Sequence, residues 1–376
     1  MSPNPFHSLL DFPHTRQDLR ILAGNFASHI LNDFPDIANS HPMPGEVWTR
    51  AGKSGILGIG IPEASGGLGG GYGDIAAVSA EIAFASACPG LALSVLLHHL
   101  TAVFAIKGLG TTEQKAALLP RLAAGSLTAS LAISEPGIGA HPKGLATRAE
   151  KTAEGWRISG KKTFITNAPL AGLFIVMAVT GEEKGKKAFS AFLVPGESAG
   201  LEVRDLGPLP FFRPAPHGEV DLHGVDVAHA ALLGPEGKAF DMLAKPFRGV
   251  EDALMAGAVA GGLAALLLRC CRDLKGLDPL PLKQAMGLSQ ARIAALSSLA
   301  CRAAQSAPPS FVAGNLNLAI RHLAADILKD LRAVMAGASL AEDTEILFKD
   351  MEKSGVIAAN VARIRQEQAG AALLSF

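Results

Sequence analysis

The chain has 376 residues, of which 49% are hydrophobic and only 5% aromatic, enough for two or three packed cores and a composition that favours close-packed helices over aromatic-rich sandwiches. Lys plus Arg and Asp plus Glu number 34 each, so no global field exists to hold a nucleic acid or an anionic membrane surface. The cysteines are Cys88, Cys270, Cys271 and Cys301; the adjacent pair fits neither a disulfide framework nor a spaced zinc site, which points to a reducing cytoplasm.

The first residues, with Asn4, Pro5, His7 and Asp11, lack the basic and apolar regions of a signal peptide. Apolar residues recur at helical spacing over 18–32 and 75–104, broken by Pro62 and the glycines of 66–73, so residues 1–130 are expected to form an N-terminal helical domain. Over 131–234 the texture changes: Trp156-Arg157-Ile158-Ser159 alternates, 174–179 is a short apolar run and 192–195 ends in a turn. This stretch predicts a middle domain of antiparallel strands. After Gly234-Pro235 helical spacing returns over 240–268, 286–304, 316–335 and a last run through Gln366, with Pro308-Pro309 separating two of the helices. Residues 235–376 are therefore expected to form a C-terminal helical domain, and the fold class is α+β, mostly α, not the alternation of a doubly wound sheet. The longest uncharged stretch, 253–268, is shorter than the roughly 18 to 20 apolar residues of a membrane span and holds glycines, so it reads as a buried bundle helix.

Three patterns imitate functional motifs. Residues 71–76, G-Y-G-D-I-A, match a dinucleotide fingerprint but follow a glycine run instead of a buried strand, and a turn is the better reading. Residues 196–200, G-E-S-A-G, match a hydrolase nucleophile elbow but lead into the strand-like Leu201-Glu202-Val203-Arg204, which favours a hairpin turn. His217, His223 and His229, near Asp221 and Asp226, have no common metal-ligand spacing and read as strand-end or loop histidines.

Residues 131–140, L-A-I-S-E-P-G-I-G-A, are followed by 155–167, G-W-R-I-S-G-K-K-T-F-I-T-N. The first resembles the acyl-CoA dehydrogenase signature [ST]-E-P-x-[AG]-G-S, and the second is similar to that family's G-x-K-x-[WF]-I-T-N segment. Residues 55–68 and 110–122 resemble two further stretches of the same family. The resemblance covers nearly the whole chain and implies a C-terminal four-helix bundle that forms homodimers or homotetramers. It also implies FAD, an acyl-CoA substrate and an electron-transfer flavoprotein as electron acceptor.

By the same resemblance, Ser134 and the backbone at Ile133 address the pyrimidine edge of the flavin, Phe164 packs on its ring and Thr166 reaches N5; Gly139 and Ile165 belong to the same cofactor-binding segments. These assignments agree with what an isoalloxazine needs, an apolar wall and hydrogen bonds at its polar edges. The reaction also needs a carboxylate to remove a weakly acidic α-proton. The usual Y-E-G-T glutamate aligns with residues 357–360, I-A-A-N, and is absent, whereas 251–257, E-D-A-L-M-A-G, resembles the alternative base segment of isovaleryl-CoA dehydrogenase. Glu251 is the candidate base; its alternative reading is a charge placed near a helix start.

Several positions depart from the family. Ala140 stands where a substrate-holding serine is common, and Asp252 replaces an arginine. The R-x-x-F-G segment, whose arginine contacts the FAD pyrophosphate across the dimer, reads R-D-L-K-G over 272–276, keeping Arg272 and Gly276. A Q-x-x-G-G-x-G-[YF] segment reads A-V-M-A-G-A-S-L over 333–340. Three readings follow: an acyl-CoA dehydrogenase, a scaffold or accessory subunit paired with a related chain, and an oxidase relative that uses O2.

Overall fold

The computed structural model describes residues 9–183, 185–277, 279–307, 311–357 and 359–375. Asn4, Pro5, His7, Pro308-Pro309 and Ala358 lie outside the described residues. The elements run in the order helices, strands, helices. First come α1 (Gln17–Asp33), α2 (Gly45–Ser54), α3 (Tyr72–Ser86), α4 (Pro89–Leu100), its π-helical continuation Thr101–Lys107, and α5 (Thr112–Ala123). The strands are β1 (Ala129–Ala132), β2 (Arg148–Lys151), β3 (Gly155–Thr166), β4 (Leu173–Glu183), β5 (Lys186–Pro195), β6 (Leu201–Asp205), β7 (His217–Ala228) and β8 (Leu232–Leu233). The last helices are α6 (Lys245–Asp273), α7 (Leu280–Gln305), α8 (Phe311–Val334), α9 (Glu342–Val356) and α10 (Ala359–Leu374). The expected α+β class, mostly α, is what the chain adopts.

Two compact units form. One consists of Met1–Ala38, Gly71–Leu93 and Gly249–Phe376, the other of Asn39–Gly70 and Ser94–Arg248. The second unit contains the sheet, in the order β6-β7-β3-β2-β4-β5-β8 with β1 beside β4. Its pairings are antiparallel except that β1 and β2 each run parallel to β4. The alternation at Trp156 and Ile158 and the apolar runs of β4 and β5 supply one core, where Trp156, Ile158, Phe174, Val176, Phe192, Val194, Val220 and Leu222 are buried together. The Trp156 and Phe192 rings lie 5.2 Å apart.

Residues 196–200 differ from their expectation as a hairpin turn. They join β5 to β6, yet β6 pairs with β7, and β5 pairs with β4 and β8. The reason is local: Gly200, at φ +83°, gives its carbonyl to the amide of His223 at 2.8 Å, which starts the β6–β7 ladder. The 71–76 stretch is a turn into a helix: the Gly71 amide donates to Asp74 Oδ2 at 2.8 Å and caps α3. A capping box at Thr111 and Gln114 starts α5 in the same manner. Also in the sheet unit, the fully buried His98 and His99 donate through Nε2 to the carbonyls of Leu122 and Ile56. Burial holds their pKa values at about 3 and about 4, so both stay neutral and structural.

The stretches 89–107 and 240–273 are long and apolar enough to cross a membrane, but the first is wholly and the second largely buried within the protein. In the helical unit the small residues of α6 serve internal packing. A Cβ on Gly257 would lie 2.1 Å from the Ala76 carbonyl oxygen, and one on Gly261 only 2.0 Å from that of Ala80. The helices α3 and α6 therefore approach at backbone contact. Alanine is the better helix former by about 1 kcal/mol, so Gly261→Ala sets helix propensity against overpacking. We expect overpacking to win by about 1 to 3 kcal/mol and lower the melting temperature. Gly287→Ala in α7, where a Cβ meets nothing within 4 Å, should be stabilising; equal stabilisation at Gly261 would refute the close approach.

Candidate functional site

The two signature segments meet in the sheet unit. After β1 the chain passes through Ile133 and Ser134 into a turn closed by reciprocal backbone bonds between Glu135 and Gly139, at 2.9 and 3.0 Å. Gly137 and Gly139 occupy the left-handed region there, which glycine enters at little cost. The turn is tied to β3 from below. Lys162, with no exposed surface, donates from Nζ to the Ile133 carbonyl at 3.1 Å and to Glu135 Oε1 at 2.8 Å. The Glu135 carboxylate also accepts the amides of Ala146 and Thr147 at 2.7 and 3.0 Å, and the Thr163 amide donates to the Ser134 carbonyl at 2.9 Å. Burial alone would raise the Glu135 pKa; the Lys162 ammonium and the hydrogen bonds outweigh it and hold the carboxyl below its ordinary value. Burial pushes Lys162 down to about 8 against the pull of Glu135.

At the end of β3 the register against β7 slips between Lys162 and Ile165. The bulge puts Phe164 at φ +54° and leaves its ring 61% exposed. A bulky aromatic in left-handed backbone is strained, and a bulge commonly re-aims a side chain. Ile165, by contrast, points into the core. Thr166 Oγ1 lies 3.1 Å from His217 Nε2, and its carbonyl accepts the Ser130 hydroxyl at 3.0 Å. Asn167, also left-handed at φ +63°, ends the strand. Its amide side chain is bound at both ends by Ser94: Oδ1 accepts the hydroxyl at 2.5 Å, and Nδ2 donates to the carbonyl at 2.8 Å. Among the described residues the Ser134 side chain makes no hydrogen bond, so its hydroxyl remains available beside the Phe164 bulge.

Ile133, Ser134, Gly139, Ala140, Phe164, Ile165 and Thr166 thus share one unit, with Gly139 and Ala140 exposed on the turn. Glu251 and Arg272 belong to the helical unit. Glu251 is half-buried in the second turn of α6, and its neighbour Asp252 is paired with Arg365 at 3.0 Å and Arg321 at 3.8 Å. Arg272 is engaged inside its own chain. Its two terminal nitrogens bind Asp343 at 2.8 and 2.7 Å, Nε donates to Asp273 at 2.9 Å, and Nη2 also reaches Thr344 at 3.0 Å. Those hydrogen bonds raise its pKa further above the ordinary arginine range.

Sequence reasoning left four participants unassigned. Glu135 and Lys162 lie within the quoted signatures, and a charged pair there is the available signal. Ser94 and His217 carry none, because their partners are brought to them only by the sheet and the helix before it. No group of three metal-ligating side chains converges among the described residues.

The acyl-CoA dehydrogenase N-terminal domain matches residues 14–126, and the acyl-CoA dehydrogenase middle domain matches 130–225. Helices, a middle sheet and further helices in this chain order, with these two signatures, define a class of FAD-dependent oxidoreductases. The chain belongs to the acyl-CoA dehydrogenase family. It is 36% identical over 194 residues to an L-prolyl-[peptidyl-carrier protein] dehydrogenase of Pseudomonas fluorescens, covering 51% of this chain and 50% of that one. It is also 36% identical over 221 residues to the mouse mitochondrial long-chain specific acyl-CoA dehydrogenase, covering 57% and 50%. These matches span about half the length of each relative. The butyryl-CoA dehydrogenase structure from Megasphaera elsdenii superposes with a TM-score of 0.83 at 23% identity, covering 95% of this chain and 97% of that one; it shares the fold.

Proposed function

We propose that the chain binds FAD at the junction of 133–140 with 164–166 and oxidises an acyl thioester to its 2-enoyl form. The observation that carries this reading is the junction itself: an exposed, strained aromatic, an unpartnered hydroxyl and a second hydroxyl, held together by a buried ion pair. These groups fit an isoalloxazine, with Phe164 against the ring, Ser134 and the Ile133 backbone at the pyrimidine edge and Thr166 at N5. When bound, FAD supplies the two-electron acceptor for the β-hydrogen. Glu251 takes the α-proton as general base. Electrons leave to an electron-transfer flavoprotein, and the chain works as a cytoplasmic homodimer or homotetramer.

The engagement of Arg272 favours a second reading, a scaffold or accessory subunit, because the family's pyrophosphate ligand is here committed to Asp343 and Asp273. Titrating purified protein with FAD and following absorbance decides between the two. Near-stoichiometric flavin is expected, with Ser134→Ala weakening it about two- to tenfold for one lost hydrogen bond. A protein that stays colourless with FAD supplied would establish the scaffold. Comparing bleaching by acyl-CoA and by acyl groups on a carrier protein then identifies the thioester.

A further inference from the structure

We infer that His217 is a positioning residue: it fixes the Thr166 hydroxyl as a hydrogen-bond acceptor, so that this strand-end pair favours the reduced state of a flavin bound beside it. The inference rests on the reading above that Thr166 lies at N5. Thr166 and His217 are register partners on β3 and β7, in the same unit. The ring of His217 is bonded at both nitrogens: Nδ1 lies 2.9 Å from the Ala215 carbonyl and Nε2 lies 3.1 Å from Thr166 Oγ1. A carbonyl only accepts, so Nδ1 carries the proton and, in the neutral ring, Nε2 is a bare lone pair. The Thr166 hydroxyl must then donate to Nε2, which leaves only lone pairs on Oγ1 for any outside group. Burial holds His217 below its ordinary value, with the Ala215 carbonyl and Asp205 pulling the other way, and this keeps the ring neutral.

The consequence follows from the two states of N5. Oxidised N5 is an acceptor and gains nothing from an oxygen that offers lone pairs. Reduced N5 carries a hydrogen and donates to that oxygen. With a leucine at 217, the Thr166 hydroxyl is released to turn and donate to the oxidised state, and the preference for the reduced state falls.

The test is the flavin midpoint potential of the FAD-loaded protein in four forms: wild type, His217→Leu, Thr166→Val and the double variant. His217→Leu is expected to lower the reduced-to-oxidised ratio at fixed potential about tenfold, which is about 30 mV for a two-electron couple. In the Thr166→Val background the same change should do nothing. A shift of equal size in both backgrounds, or none in the wild-type background while Thr166→Val shifts the potential, overturns the role of His217 and leaves the flavin reading standing. An unchanged potential in Thr166→Val removes Thr166 from N5 and overturns both. Should His217→Leu fail to fold, the 15N shifts of the wild-type imidazole decide: a pyridine-like Nε2 is expected, and a protonated Nε2 overturns the inference.

Discussion

Replacing Glu251 by glutamine is expected to leave folding and flavin content intact and to slow anaerobic bleaching by a substrate acyl thioester about 10²- to 10⁴-fold. The amide is nearly isosteric, and the position is half-buried in the body of α6, past its first turn, so no helix-start charge is lost with it. The amide keeps an oxygen that accepts hydrogen bonds but cannot take up a proton. Stopped-flow bleaching isolates this step from electron transfer to a partner. Asp252→Asn is the control for a merely structural acid: Asp252 is committed to Arg365, and its loss should lower thermal stability while leaving the bleaching rate of the folded protein largely intact. A Glu251→Gln variant that bleaches at the wild-type rate removes Glu251 as the base. A wild-type protein that holds FAD yet fails to bleach with short, long and branched thioesters gives the scaffold reading precedence.

The second large effect concerns Lys162. Lys162→Met is expected to destabilise the protein by about 3 to 5 kcal/mol, because it leaves the buried Glu135 carboxylate without its ammonium. Thermal unfolding measures the loss, and faster proteolysis within 136–144 locates it. Glu135→Gln added to Lys162→Met should restore part of the stability, since the amide oxygen still accepts a backbone N–H without a buried net charge. The pH dependence has a definite sign. Because the folded Glu135 carboxyl lies below its ordinary value of 4.5, its stabilisation is fully present above that value and is lost as pH falls through the lower folded value. The wild-type advantage over Lys162→Met should therefore narrow below about pH 4.5. A difference independent of pH would show that the pair is not the source.

The order of helices and strands was legible because periodicity depends on each segment alone: apolar spacing marks α1 and α6, and alternation marks β3. The family signatures were legible for a similar reason, each being a contiguous run. What was hidden depends on partners far apart in sequence. The 196–200 turn looked like a hairpin because the stretch after it is a strand, but strand pairing is decided across the whole sheet, and β6 finds β7. His217 looked like an ordinary strand-end histidine because its meaning lies in the register that sets it opposite Thr166. Asn167 shows the same limit: its left-handed backbone is plausible from residue type, but the Ser94 that binds both ends of its side chain comes from α4. Arg272 retained its family identity while Asp343 and Thr344, which now hold it, lie on α9.

The backbone contact between α3 and α6 also has a consequence for synthesis. The α3 helix, buried around almost all of its circumference in the finished protein, leaves the ribosome long before α6 exists to meet it. At about 5 to 20 residues per second, the delay between Ala76 and Gly257 is on the order of ten to forty seconds. Only at the end of that interval is the sequence of the sheet unit complete, since its last segment ends at Arg248, whereas the unit containing α3 still awaits everything from Gly249 on. The nascent chain therefore carries an apolar helix whose faces toward the later helices stay uncovered until α6 is made, and yield in cells should depend on chaperone capacity and elongation rate more steeply than the stability of the finished protein suggests.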